Sequence, residues 1–403
     1  MTKVCVIGAG LSGLATAWYL TEANVPVHVV EASVRPGGLI WTEREPEGLV
    51  EAAANAFART ARVEQLFRAL GITPALAQPV GRRRYIFRQG RPRRWPLTAA
   101  ESLGAASRLT LAWLRGRAQP AEGESVAEWA ERVAGRQAAA LVIDPAMRGV
   151  YAAPAASLSA AAVLGQRRRS PAGVVAPVNG MREVIQGLQL ALERRGVTFE
   201  WNRRVHVLDS RVWTVLAVDA SSAAMLLRPY APQLAAAIST IQSRSLLTVT
   251  AFYPASASDV HGFGVLFPRD EGVRALGVLF NADVFAGRSS MRSETWIYDD
   301  PTLEPVLPDV LQRDRHTLTG RHEAPVARYG AARPNAIPVY GKAVLDARAA
   351  LHTLPRWLAV TGNYLGRLGV AKLLEAAADT ATQMANQIRT GSPRSIESGT
   401  VST

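Results

Sequence analysis

The sequence predicts an α/β fold in which a βαβ unit is completed from both ends of the chain around an inserted α+β lobe. Three observations carry that expectation. A glycine-rich turn joins two short apolar strand patterns within the first thirty residues. A second strand, glycine loop and helix stand near the C-terminus. Between them come a helical stretch and then β-rich runs separated by Gly and Asp turns.

Lys3-Val-Cys-Val-Ile7 is a continuous apolar run, as a buried parallel strand requires. Gly8-Ala-Gly-Leu-Ser-Gly13 follows, then a helical pattern over 14–23 and a β-branched run over 25–30 that ends on Glu31. Residues 60–71 read as a helix ending at Gly71. Residues 81–96 form an Arg-rich segment with strand-like Tyr85-Ile-Phe87, a turn at Gln89-Gly90 and Pro96 at its close. Residues 99–143 read as helical, with Ser125 and Glu128 as a capping box before the apolar period Val126, Trp129, Ala130 and Val133. A stretch punctuated by Pro and Gly runs from 144 to 180, and 181–195 is a further helix. Residues 197–218 are strand-rich, and 246–252 with 263–298 predict an antiparallel sheet. Residues 358–362 give the last strand and 370–388 the last helix. There is no internal repeat.

The 403 residues, 48% hydrophobic and 20% charged, suffice for two domains or one large α/β body and exclude a disordered chain. A single cysteine, Cys5, excludes a disulfide scaffold and a multi-cysteine metal site. The formal charge of +13 comes from 43 Arg and only 3 Lys. The arginines are spread along the chain rather than gathered in a dense arm, so no nucleic-acid partner is read from them. Clusters stand at 82–84, 88–94 and 167–169, the last read as a solvated loop. No apolar run reaches the length of a spanning helix. The first residues carry no signal-peptide pattern, so a cytoplasmic protein is expected.

Gly8-x-Gly10-x-x-Gly13 lies between a strand and a helix, with Glu31 at the end of the next strand. That context is the dinucleotide-binding arrangement: Gly8 allows the tight turn, Gly10 lets backbone approach a pyrophosphate, and Gly13 lets helix pack on strand. Free N–H groups at the helix start hold the anion, and Glu31 can accept both ribose hydroxyls. Arg35-Pro-Gly37-Gly38 follows where flavoproteins carry an R-x-G-G doublet, which favours FAD over NAD. Near the C-terminus Thr361-Gly362-Asn363, Gly366 and Gly369 lead into a helix at Val370, a second helix start able to face the cofactor. Motifs at both ends predict a discontinuous Rossmann-like FAD-binding domain (1–75, 172–245 and 335–390). An inserted substrate-binding domain, a helical lobe plus antiparallel sheet, would take 76–171 and 246–334, with a flexible tail at 391–403.

With these motifs the chain resembles the protoporphyrinogen oxidase branch of the flavin amine oxidase-like superfamily. The likeness rests on 84–96, on Asp144-Pro145 with Gly149-Val-Tyr-Ala152 and Leu158-Ser159, on Gly180-Met181, on Ile337-Pro338-Val-Tyr340, and on Gly362-Asn363 with Gly369-Val370. Departures are Ala53 and Ala153 where the family has Gly, Tyr329 where Trp is common, and a shortened passage after Val205. The resemblance implies non-covalent FAD held at Gly8, Gly10, Leu11, Ser12, Gly13, Glu31, Ala32, Gly37, Gly38, Asn55, Val205, Gly362, Asn363, Gly369 and Val370. It implies that Arg84 pairs with a substrate propionate and that the flavin, rather than a side chain, does the chemistry. Protoporphyrinogen IX is the implied substrate in haem biosynthesis, with coproporphyrinogen III as the alternative and oxygen as the electron acceptor.

A flavin amine oxidase is disfavoured because that family places a lysine near the flavin, and none lies between Lys3 and Lys342. A non-catalytic flavin-binding protein is the rival of a different class. The histidines show no ligand spacing, so no metal is expected; His28 and His206 read as structural and Cys5 as a core thiol. Residues 101–117 mix Leu103, Leu109, Leu111, Trp113 and Leu114 with Arg108, Arg115 and Arg117, the composition of a helix on an anionic membrane surface. The other reading of that stretch is a helix packed in the core.

Overall fold

A computed structural model describes residues 2–165 and 173–391. Five parallel strands form one sheet in the order Thr198–Glu200, Val27–Val30, Val4–Ile7, Trp213–Leu216, Leu358–Val360. Val4, Val6, Val27, Val29, Val215 and Leu358 are buried, as a sheet covered on both faces demands. Helices Leu11–Glu22, Arg182–Arg194 and Val370–Arg389 lie in this core through Leu14, Trp18, Leu188, Leu374 and Met384. The sheet therefore takes strands from the first thirty residues, from the middle and from the C-terminal part of the chain.

The second sheet has seven strands, in the order Ala327–Pro338, Ser243–Tyr253, Arg292–Tyr298, Gly277–Phe280, Gly264–Leu266, Arg84–Arg88, Arg91–Arg93. Sequence predicts it as antiparallel, but Gly264–Leu266 pairs in parallel with Arg84–Ile86, so the sheet is mixed. One face packs Phe87, Val249, Tyr253, Val278, Trp296 and Tyr298 against Val310 and Leu311 of the helix Leu307–Thr319. The alternating residues Thr248, Thr250 and Thr295 belong to the other face, although they too are buried.

Several elements differ from expectation. The stretch 144–180 holds helices Asp144–Tyr151 and Ala160–Leu164 and the strand Val174–Pro177. Pro145 does not break the first of these, because the π-helical turn Ala139–Ile143 runs straight into it and already departs from the hydrogen-bond ladder that a proline would interrupt. The run 99–143 is interrupted: a helix spans Ala99–Leu114, the chain turns at Gly116 with φ +67°, and Ser125 caps Val126–Ala134 with its capping box in place. The core-packed reading of 101–117 fails, since no residue of Ala99–Leu114 is buried and Leu103, Trp113 and Leu114 are about 70% exposed. After Thr198–Glu200 the chain reaches Trp213–Leu216 with no intervening strand, as the shortened passage implies. Cys5 is only partly buried, yet burial pushes its thiol up to about 11, which suits an unreactive strand residue. His28 hydrogen-bonds Thr198 and Glu200 across the sheet edge, while His206 is exposed. The cluster 167–169 and the tail from 392 lie outside the described residues.

Candidate active site

The carboxyl ends of the parallel strands gather the loops 8–10, 31–38, 217–219 and 361–369 at one edge of the first sheet, the position where open α/β sheets bind ligands. Gly13 allows the helix Leu11–Glu22 to seat there: a Cβ would stand 1.8 Å from the Gly8 carbonyl oxygen. Gly10 is the opposite case, because a Cβ there meets no heavy atom within 4 Å. The space above Gly10 is open, and no side chain caps the helix that begins at Leu11, with Ser12 in its first turn. Glu31 faces this turn, accepting the Ala9 N–H at 2.6 Å and the Ser33 N–H at 2.8 Å. Backbone bonds Asn202 N–H to Ser33 O and Arg203 N–H to Glu31 O bring the passage carrying Val205 alongside, with Ala32 exposed.

The R-x-G-G doublet closes over the same turn. Gly37 donates to Ala9 O at 2.8 Å, and Gly38 lies close to Gly10. From the other side Gly369 leads into the helix Val370–Arg389, again with no side-chain cap and open space. Asn363 donates through Nδ2 to Ala336 O at 3.1 Å, and its backbone carbonyl accepts a hydrogen bond from the Tyr340 hydroxyl. After Leu358–Val360 and beside Gly362, the hydroxyls of Thr361 and Tyr364 are buried without partners. Two uncapped helix starts, open space over two glycines and an orphaned Thr361 hydroxyl fit a diphosphate-bearing dinucleotide such as FAD.

The large sheet turns its polar face toward the loop that follows this doublet. Tyr329 donates to Glu47 at 2.8 Å, and Arg333 donates to Ala52 O at 3.2 Å. Arg288 pairs with Glu51 although both are almost fully buried, and it also reaches Asn55 O at 3.4 Å. Thr42 and the Met181 N–H complete the carboxylate's partners at 2.6 and 3.0 Å. Burial nevertheless wins, holding the Glu51 carboxyl above the usual range against the pull of Arg288. The sequence marks Glu51 only as the start of the segment 51–57 in which Ala53 replaces a glycine, and it gives no sign of Arg288 or Arg333.

Arg84 is exposed, with its guanidinium 4.5 Å from the Phe263 ring centroid and no carboxylate paired to it among the described residues. Arg82 is exposed as well. The neighbouring Arg88 differs, being held bidentately by Glu101 at 2.8 and 3.0 Å. Among the described residues no His, Cys, Asp or Glu cluster could hold a metal ion.

A family model for flavin containing amine oxidoreductase matches residues 11–299. Coproporphyrinogen III oxidase from Mycobacterium tuberculosis (strain ATCC 25618 / H37Rv) is 27% identical, covering 94% of this chain and 96% of that protein. Chloroplastic protoporphyrinogen oxidase from Oryza sativa subsp. japonica is 26% identical over 95% and 88%. A solved structure from Exiguobacterium sp. 255-15 superimposes with a TM-score of 0.79 at 16% identity, covering 96% and 99% of the two chains. The cradle asks for a dinucleotide and the family match asks for a flavin, and both point to the same loops: the chain belongs to the flavin containing amine oxidoreductase family and is an FAD-dependent oxidoreductase.

Proposed function

We propose that this chain is a porphyrinogen oxidase in which a carboxylate-bearing tetrapyrrole lies between the cradle and the polar face of the large sheet. Bound FAD supplies the two-electron acceptance that no side chain offers. The residues named above at the cradle hold it, Gly10 through backbone approach and Glu31 through ribose hydroxyls. Residues 1–75, 172–245 and 335–390 form its domain, and 76–171 with 246–334 form the substrate domain. Arg84 binds a substrate carboxylate with a planar fork suited to two oxygens, and Phe263 holds that fork in place. The Glu51–Arg288 pair fixes the loop carrying Asn55 against the large sheet. Oxygen is the final acceptor, with hydrogen peroxide as its product.

The observation that carries this reading is Arg84, a guanidinium shelved on an aromatic ring and left without a counterion among the described residues. Protoporphyrinogen IX is the substrate the sequence favours. The coproporphyrinogen III reading gains support from the relative of that activity, which is matched over 94% of this chain. Anaerobic mixing with each porphyrinogen, followed at the flavin absorbance, tests the proposal. Bleaching by one and not the other selects it. Bleaching by simple amines alone would replace the reading with an amine oxidase, and bleaching by none would leave a flavin-binding protein. The exposed helix Ala99–Leu114 is proposed to rest on an anionic membrane surface, from which a greasy substrate can load. No helix among the described residues is long and apolar enough to cross a membrane.

A further inference from the structure

Arg84 opens the strand Arg84–Arg88, which runs parallel to Gly264–Leu266. Parallel strands begin at the same end of a sheet, so the loops that enter them lie side by side. Gly277–Phe280 is antiparallel to Gly264–Leu266 and finishes at that same end. The helical turn Asn281–Val284 therefore emerges beside both loops. Gln78 donates its N–H to Val284 O at 2.9 Å and its Nε2 to Ala282 O at 3.0 Å. Gly81 packs so closely that a Cβ on it would stand 2.8 Å from Val284 Cα. This one turn seats the segment that leads into Arg84.

The other loop carries Phe263, whose ring lies against the Arg84 guanidinium. A single side chain fixes it to the same turn. Asp283 accepts the Gly262 N–H at 2.9 Å, and the His261 imidazole stands 3.2 Å from its other oxygen. Arg292 donates to Asp283 at 2.8 Å and to Val260 O at 2.7 Å, so this carboxylate is held by the loop and its neighbour and does not neutralise Arg84. The Phe263 N–H in turn donates to Arg83 O at 2.7 Å. A Cβ on Gly262 would stand 2.5 Å from that oxygen, so the two loops meet with no room between them. We propose that Asp283 is a positioning residue for the substrate carboxylate: by holding the Gly262 N–H it sets Phe263 against Arg84 and so aims the guanidinium. This role rests on the reading of Arg84 as a carboxylate ligand.

The test titrates holoenzyme variants with coproporphyrin III, a stable tetracarboxylate, and with its tetramethyl ester. Arg84→Ala should weaken the acid about tenfold or more and leave the ester unmoved. Asp283→Ala leaves Arg292 its contact with Glu294 at 3.1 Å. It should weaken the acid about fivefold or more, again sparing the ester, and should add almost nothing to Arg84→Ala in the double variant, since both act on one contact. Weakening of acid and ester alike, or a full second loss on top of Arg84→Ala, would reduce Asp283 to a folding residue and overturn the inference. Asp283→Asn should recover most of the loss, because its amide oxygen can accept the same N–H; a loss as deep as that of Asp283→Ala would overturn the hydrogen-bond role. Gly262→Ala presses on Arg83 O from within the same contact and leaves Asp283 and Arg292 paired. It should reproduce the selective loss, and it decides the outcome should Asp283→Ala not fold. If Arg84→Ala loses the acid selectively while Asp283→Ala and Gly262→Ala bind it like wild type, only the role of Asp283 is overturned. If Arg84→Ala itself binds the acid like wild type, the Arg84 reading fails and takes the role of Asp283 with it.

Discussion

A Cβ built on Gly13 would stand 1.8 Å from the Gly8 carbonyl oxygen, whereas one built on Gly10 meets nothing within 4 Å. The two glycines of one turn should therefore fail differently. Gly13→Ala overpacks a helix–strand contact, a fault that typically costs about 1–3 kcal/mol, and should lower the urea midpoint of the stripped protein. Gly10→Val should leave that midpoint in place, because Gly10 is extended at φ −70° and its surroundings are empty. Its methyls would instead occupy the approach to the pyrophosphate, and the protein should purify without FAD. Unchanged urea midpoints for both variants would refute the packing argument for Gly13. Arg84 answers to kinetics rather than to folding. A charge-assisted hydrogen bond contributes about 1.5–3 kcal/mol, so Arg84→Ala should lower kcat/KM about 10- to 150-fold. Arg84→Lys should recover part of that and Arg82→Ala should be nearly silent. Equal losses at 82 and 84 would mean diffuse steering instead of a carboxylate contact.

At the scale of elements, the Glu51–Arg288 pair ties the strand Gly48–Glu51 and the loop after it to the segment preceding the strand Arg292–Tyr298. Removing one partner of a buried pair strands the other, at about 3–5 kcal/mol. Arg288→Met should show that loss, and adding Glu51→Gln should return much of it. The pH dependence has a definite sign. A carboxyl whose folded pKa is raised holds its proton in the native state after the unfolded state has lost it, so stability falls as pH climbs through that window. Burial already raises Glu51, and loss of Arg288 raises it further. The gap between Arg288→Met and wild type should be narrower at about pH 5 than at about pH 8 in urea titrations; a gap independent of pH would show that Glu51 stays neutral in both proteins. This tie also marks where the sequence stops being readable. The βαβ unit, the Ser125 cap and the C-terminal strand, loop and helix are local patterns, and each stands where its pattern lies. Glu51 and Arg288 are 237 residues apart, and no periodicity links them. The helix Leu307–Thr319 hides its amphipathicity because Asp314 and Arg315 face inward, and the strand Ala327–Pro338 carries Gly330, Pro334 and Asn335. Both were illegible for the same reason: their charged or turn-prone residues find partners only in the folded sheet.

For the whole molecule the question is whether its +13 charge or one patch decides contact with a membrane. A diffuse charge acts only through Coulomb attraction, worth about 1 kcal/mol per basic residue at an anionic surface and screened within about 8 Å at physiological salt. The helix Ala99–Leu114 adds a second force. Its Leu103, Trp113 and Leu114 are exposed beside Arg115 and Arg117, and none of its residues serves the core. Thr98 and the Arg88–Glu101 pair secure its first turn instead, so its apolar side chains are available without unfolding anything. Burying them in the lipid interface gains about 25 cal/mol per Å² of apolar surface, a gain that salt does not screen. Flotation with anionic liposomes should therefore separate the two forces. Wild type should co-float strongly at low salt and retain a fraction at high salt. Trp113→Ser with Leu114→Ser should lose the high-salt fraction, because only charge remains to hold it. Arg115→Gln with Arg117→Gln should weaken binding mainly at low salt, where attraction dominates. An apolar double variant that floats like wild type at both salts would return the helix to the role of a solvent-facing cover and leave any contact with lipid to the overall charge.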